Sequence, residues 1–253
     1  MKTKILLPSN IYSRLFISAL ELDKEYNVEF HPAALIARNI LADNNTLGLI
    51  PSLDLITHKE LFISSQIGVS FNALLSNAYI HFKKGQQTIE NLYLKGDITS
   101  NEIILSKILF KELYNVDIVP TILKEESELS DENILIAGDE NLERELFFNG
   151  LSFAEEMIEL LEDPYVNFLV ASSSENMIKE FNQKFAEKLK SYNANNSYEV
   201  LNKFNNGVKE FISVNLQHIV FDFEEQDIEG IKSLIQLPYL HGIVKDMVDI
   251  KFI

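Results

Sequence analysis

The sequence predicts a two-lobed α/β protein with a cleft between the lobes, and three observations lead there. Its first hundred residues alternate short β-type runs with helical patterns, the mark of parallel strands joined by helical crossovers. A second such alternation fills the middle of the chain, after a long extended stretch suited to carrying the chain out of the first lobe. The last third returns to helical spacing, so the N-terminal segment and the C-terminal helices are expected to share one lobe with the middle inserted. This places residues 1–80 and 172–253 in the first lobe and 81–171 in the second.

Taken in order, Lys4-Ile5-Leu6-Leu7 reads as a strand. Ile11 to Leu22 reads as a helix with Ile11, Leu15, Ala19 and Leu22 on one face. Asn27 to Phe30 is a strand, and Pro32 to Ala42 a helix opened by proline, whose missing N–H costs nothing there. Leu47 to Ile50 is a third strand, stopped by Pro51. Leu61 to Ile63 and Val69 to Phe82 read as extended segments. In the middle, Ile89 to Leu94, Val116 to Ile122 and Asn133 to Ala137 read as strands, with helices at Ser100 to Tyr114 and Ser152 to Leu161. Tyr165 to Ala171 is the returning strand. Helices are then expected at Glu175 to Tyr192, Tyr198 to about Leu216, and Glu224 to Ile235, with a polar break at Asn193 to Ser197.

Composition narrows the function classes. A chain of 253 residues that is 46% hydrophobic can bury one large core or two small ones. A net charge of −16 repels nucleic acid and anionic membranes at long range. Without cysteine there is no disulfide, thiolate zinc site or cysteine nucleophile. Met1-Lys2-Thr3-Lys4 is followed by only Ile5-Leu6-Leu7 before Pro8, too short for a signal segment, and no apolar run reaches the roughly 18 residues that span a bilayer. A cytoplasmic protein with no membrane insertion is expected, its oligomeric state open.

Several chemistries find no support. The five histidines are scattered, none at ligand spacing, so no metal is expected. There is no phosphate loop, dinucleotide glycine fingerprint or nucleophile elbow. Adjacent carboxylates such as Glu125-Glu126, Glu155-Glu156 and Glu224-Glu225 point in different directions on a helix and read as solvated faces.

In open α/β sheets, ligands gather beyond the carboxyl ends of the strands. That rule selects Pro8-Ser9-Asn10, Pro51-Ser52, Asp97 to Asn101, and Gly138-Asp139. Asn10 can cap the first helix, and Thr99-Ser100-Asn101-Glu102 fits a capping box, as does Ser172-Ser173-Ser174-Glu175. Each reads either as an ordinary cap or as a source of backbone N–H groups that hold a carboxylate. Arg14, one of three arginines, lies four residues after Asn10 and should lean back toward the helix start.

Five segments carry a shared pattern: Leu47-Gly48-Leu49-Ile50-Pro51-Ser52, the run from Ile63-Ser64-Ser65 to Leu75, Ile136-Ala137-Gly138-Asp139, Pro164-Tyr165-Val166, and Phe223 to Ile231. In the right order along almost the whole chain, they resemble the chorismate dehydratases of the futalosine route to menaquinone. They are similar, in turn, to that family's leucine-isoleucine-proline-serine strand, its isoleucine-serine-serine segment, its glycine-aspartate turn, its returning strand and its closing helix.

The resemblance implies a type 2 periplasmic-binding-protein-like fold and a lyase that removes water from chorismate to give 3-[(1-carboxyvinyl)oxy]benzoate, with no cofactor. It points to Asn10 as the catalytic or positioning residue and to Ser52, Ser64, Ser65 and Asp139 as lining the cleft. Thr99, Ser100 and Asn101 stand where the family opens its second-lobe helix with serine-arginine-threonine-serine, so that arginine is absent, and Arg14 is expected to replace it in part. Pro8-Ser9 replaces tyrosine-leucine, Ser13 a proline, and Met157 a tryptophan. The alternative to a lyase is a non-catalytic relative that binds a small aromatic or carboxylic acid between the lobes. An extracytoplasmic transport receptor is a third reading, lacking the export signal.

Overall fold

A computed structural model describes residues 2–85, 89–123, 132–190 and 194–253, the last without the side chains of 194–198. Glu125-Glu126, the end of the helix expected to reach Tyr192, and the polar break at Asn193 to Ser197 lie outside the described residues or side chains.

The chain opens with β1 (Lys4–Pro8), α1 (Ile11–Leu20), α2 (Leu22–Glu25), β2 (Asn27–His31), α3 (Ala33–Ala42) and β3 (Thr46–Pro51). A short 3-10 helix over Ser52–Ile56 leads to β4 (Phe62–Phe71). The middle holds β5 (Ala78–His81), β6 (Asn91–Gly96), α4 (Ser100–Tyr114), β7 (Val119–Ile122), β8 (Ile134–Ala137), α5 (Glu140–Glu143), β9 (Leu151–Ser152) and α6 (Phe153–Leu161). The chain then runs through β10 (Tyr165–Ser172), α7 (Glu175–Lys190), a 3-10 segment over Ala194–Lys203, α8 (Asn206–Asn215), β11 (Ile219–Asp222), α9 (Glu225–Leu240) and β12 (Lys251–Phe252).

Two sheets result. The first has the order β11-β4-β10-β3-β1-β2 with β12 beside β4; the second has the order β7-β6-β8-β5-β9. The expected division at 80/81 and 171/172 is corrected: β5 begins at Ala78 in the second sheet, and β10 pairs entirely within the first. The sheets change over at 72–77 and 162–164 instead. The first sheet is also mixed, not parallel throughout. β1 runs parallel to β2 and β3, whereas β10 runs antiparallel to β3 and β4. A strand that enters from the second lobe need not follow the crossover rule of the βαβ unit.

Each helix has a local cause. Asn10 accepts the Ser13 N–H at 2.9 Å and starts α1, which turns its apolar residues inward and stops at Glu21 in the left-handed region (φ 52°). The α4 capping box is formed as expected between Thr99 and Glu102. α3 seats Ile36 and Ile40 against Gly48, where a Cβ would stand 2.6 and 2.7 Å from their methyl groups. β3, β8 and β10 are buried along their whole length, which explains their largely apolar sequences, with Asn167 in β10 held by hydrogen bonds to Asn101 and Tyr165.

Register sets the functional edge. β1 and β3 are parallel, so Pro8 and Pro51 end at the same side of the sheet, and His31 joins them through the pairing of Pro8 with His31. β10 pairs Phe168 with Pro51, and β4 pairs Phe71 with Tyr165, so both crossings leave from that side too. In the second sheet Gly96 pairs with Ala137, and Ala137 with Ala78. Asp97, Gly138-Asp139 and Asn77 therefore share one edge, which faces the first.

Candidate functional site

The two edges meet in a seam closed by direct hydrogen bonds. On the first-lobe side the N–H donors are backbone groups at the starts of helices, carrying the partial positive charge of unsatisfied amides. On the other side an oxygen from the second lobe meets each one. The Ile11 N–H, first in α1, donates to Asp139 Oδ1 at 2.8 Å. The Ala33 N–H, first in α3, donates to both Asp97 oxygens at 3.0 and 3.1 Å. The Leu53 N–H in the 3-10 turn donates to Asn101 Oδ1 at 2.9 Å.

The other half of each group is engaged as well. Asp139 Oδ2 accepts from Lys203, which also lies 3.6 Å from Glu143. Asn101 Nδ2 donates to the Asn167 carbonyl at 2.9 Å and to its Oδ1 at 3.0 Å, and the Tyr165 hydroxyl donates to the same Oδ1. Tyr12 donates to the Ser76 carbonyl at 2.8 Å, and the Gly138 N–H to the Asn77 carbonyl at 2.7 Å, tying α1 and the β8 turn to the first crossing.

Asp54 stands out within this network. Ser100 donates to its Oδ1 at 2.7 Å, while Oδ2 is buried without a partner among the described residues. Burial pushes its carboxyl up to about 6, against the opposing pull of the Ser100 bond and of nearby His58. Burial also raises Asp97, despite its bond from Ala33, and raises Glu102, despite its bonds from Thr99. Asn77 Oδ1 and Asn167 Nδ2 are likewise buried and unpartnered.

The expected residues divide cleanly. Asn10, Ser52, Thr99, Ser100, Asn101 and Asp139 come together at or behind the seam. Asn10 spends its side-chain oxygen on the Ser13 N–H, and Ser52 donates to the Val166 carbonyl at 2.6 Å, so both build the edge. Ser64 and Ser65 are corrected. Ser64 donates to Asn182 of α7 and Ser65 to the Ile253 carbonyl, toward the end of β4 remote from the seam. The extended strand carries them there: Ser64 lies seven residues, roughly 23 Å, before Phe71. Arg14 sits one turn into α1, with its guanidinium 4.8 Å from the centre of the Phe30 ring.

Sequence reasoning singled out the 97–101 loop but did not assign Asp97 a partner, and it missed Asp54, Asn167 and Lys203. Asp54 follows Ser52 within two residues, so the strand-end rule reached its neighbourhood. Nothing in the sequence announces Lys203, which meets Asp139 only through the fold. Among the described residues no group of three or more His, Asp or Glu is placed to hold a metal, and no helix is long and apolar enough to cross a membrane.

No family model and no curated protein matches the chain. Solved structures do. Protein AF1704 of Archaeoglobus fulgidus aligns over 96% of this chain and 98% of its own, with a TM-score of 0.67 and 11% identity. The zinc-bound ligand-binding component of an ABC-type import system from Staphylococcus aureus aligns over 99% and 97%, with a TM-score of 0.65 and 11% identity. The alkanesulfonate-binding protein SsuA of Xanthomonas axonopodis pv. citri, bound to MOPS, aligns over 98% and 96%, with a TM-score of 0.61 and 13% identity. The chain therefore has a two-lobed periplasmic-binding-protein-like fold of type 2.

Proposed function

We propose that this protein closes its two lobes over a small anionic molecule, an aromatic or carboxylic acid by class. The row of three first-lobe amides at Ile11, Ala33 and Leu53, each met by a second-lobe oxygen, carries the reading. A ligand carboxylate entering an opened seam meets the same N–H groups that Asp139, Asp97 and Asn101 now engage. The lobes that go with this motion change over at 72–77 and 162–164. Two solved relatives, one a ligand-binding component of an importer and one holding a sulfonate buffer, lend support by their fold. The test is thermal denaturation and calorimetric titration with benzoate, an alkanesulfonate and chorismate. Saturable stabilisation by at least one supports the reading; none in the wild type or in Asp139→Asn overturns it.

A second reading, dehydration of chorismate to 3-[(1-carboxyvinyl)oxy]benzoate, is favoured by Asp54. A carboxylate lifted to about 6, with a free oxygen, suits a general base at neutral pH. Asp54 would take the ring proton and pass it to the departing hydroxyl, so that water leaves and the ring becomes aromatic. The seam amides would meet the charge that develops on the ring carboxylate. Mass spectrometry of the protein incubated with chorismate decides: a product lighter by one water supports the lyase, and unchanged chorismate leaves only the binding protein.

A further inference from the structure

Next to the seam, α1, the edge strand β2 and the 3-10 segment around Val200 line an open cavity of about 990 Å³, which meets the seam at Lys203, the partner of Asp139. That volume lies at the upper end of ordinary small-molecule sites, roughly 300–1,000 Å³. Its lining is unlike the rest of the molecule. The whole chain carries 38 acidic residues against 22 basic ones, yet here four basic side chains face three acidic ones. Ile17, Val28, Phe30 and Val200 supply an apolar wall.

The cations differ in what they hold. Lys24 and Lys188 both pair with Glu21, and Lys203 pairs with Asp139 and Glu143. Arg14 is left over. Among the described residues its guanidinium forms no ion pair, and its Nε is buried without an acceptor. The group rests over Phe30, a ring 40% exposed, which holds it in place from one face. Among the described residues its terminal nitrogens form no hydrogen bond, which leaves them available to an incoming anion. A fork of donors fixed by an aromatic ring, beside an apolar wall, fits a carboxylate or sulfonate joined to a flat apolar body.

We propose that this cavity is a binding site for such a monoanion, with Arg14 taking the charged head and Ile17, Val28 and Phe30 the body. It lies beside the seam, shares Lys203 with it, and does not depend on the seam holding a ligand. The chain has no tryptophan, so the fluorescence of 2-naphthoate can be titrated against a tyrosine background. The proposal expects saturable binding to one site, weakened at least tenfold in Arg14→Ala and at least tenfold for the neutral probe 2-naphthamide. Ile17→Phe, which narrows the cavity without touching the charge and keeps the chain free of tryptophan, should weaken binding at least tenfold and keeps the test decisive if Arg14→Ala fails to fold. Equal binding of acid and amide, or undiminished binding in Ile17→Phe, overturns it. If Asp97→Asn moves the affinity and Arg14→Ala does not, the probe sits in the seam: the cavity proposal falls and the clamp reading stands.

Discussion

Replacing Asp54 with asparagine should stabilise the protein at neutral pH and remove one segment of its acid profile. Asp54 is 7% exposed, and burial raises its carboxyl from an ordinary 3.8 to about 6. The native state therefore holds this proton more tightly than the unfolded chain does. Between about pH 4 and pH 6 the folded form binds more protons than the unfolded form, so stability falls as pH rises through that window. Each tenfold change in proton affinity corresponds to about 1.4 kcal/mol, so ionising Asp54 costs about 3 kcal/mol once the pH is above 6. Asparagine keeps an acceptor for Ser100 but puts an amide where Oδ2 lacks a partner, which costs about 1–2 kcal/mol. The net gain at pH 7 is then about 1–2 kcal/mol. Urea denaturation of both proteins from pH 4 to pH 8 reads the effect directly. The stability difference, variant minus wild type, should start negative, climb by about 3 kcal/mol up to pH 6, and then level off. A difference flat across that range, or one that declines with pH, refutes the assignment of the buried charge to Asp54.

Gly96→Ala should destabilise by about 2–4 kcal/mol in the same urea assay, because φ is +96° there and a Cβ would stand 2.0 Å from the Ala137 carbonyl oxygen; a loss under 1 kcal/mol would count against the tight turn after β6, packed on the end of β8, that aims Asp97. Thr99→Ala should cost about 1 kcal/mol or more, since it removes the α4 cap and leaves buried Glu102 short of a donor; a neutral result in thermal melts would contradict the capping box. Asp139→Asn should raise anion affinity in the seam about tenfold, because an incoming carboxylate no longer displaces a charge-assisted bond at Ile11 worth about 1.5 kcal/mol; calorimetry showing weaker binding would argue that Asp139 assists the ligand. Any turnover of chorismate should rise as pH passes through about 6 and vanish in Asp54→Asn; a rate unchanged in that variant would remove Asp54 as base.

The residues made the architecture readable wherever burial was complete. Leu47–Ile50 and Ile134–Ala137 are short apolar runs closed by Pro51 and Gly138, and both are strands. The caps at Asn10 and Thr99 were readable because side-chain oxygens bond within three residues. Elements set by distant partners were harder to see. β4 is one ten-residue strand, but Ser64-Ser65-Gln66 split it in the pattern; Ser64 is tolerated inside because Asn182 accepts its proton and the Gln66 and Ile67 amides donate to it. The helix expected from Tyr198 to Leu216 breaks at Asn205, whose side chain caps α8, and the strand over Ile219–Asp222 takes its place beside β4 only through the sheet. At the seam, the strand-end rule found the loops but not the pairing. That Asp97 and Asp139 would engage the amides offered to an anion is decided by how two sheet edges face each other.

In the proposed clamp, Asp97 and Asp139 hold the hinge shut on first-lobe amides. The chain has no cysteine, so spin labels can be placed at Arg38→Cys on α3 and Lys107→Cys on α4, both exposed, without further engineering. Pulsed dipolar distance measurement should give one narrow short-distance population in this background. With Asp97→Asn and Asp139→Asn added, a longer population should appear, and a bound anion should return it to the short one. A distribution unmoved by the double substitution and by every anion tested would contradict the account.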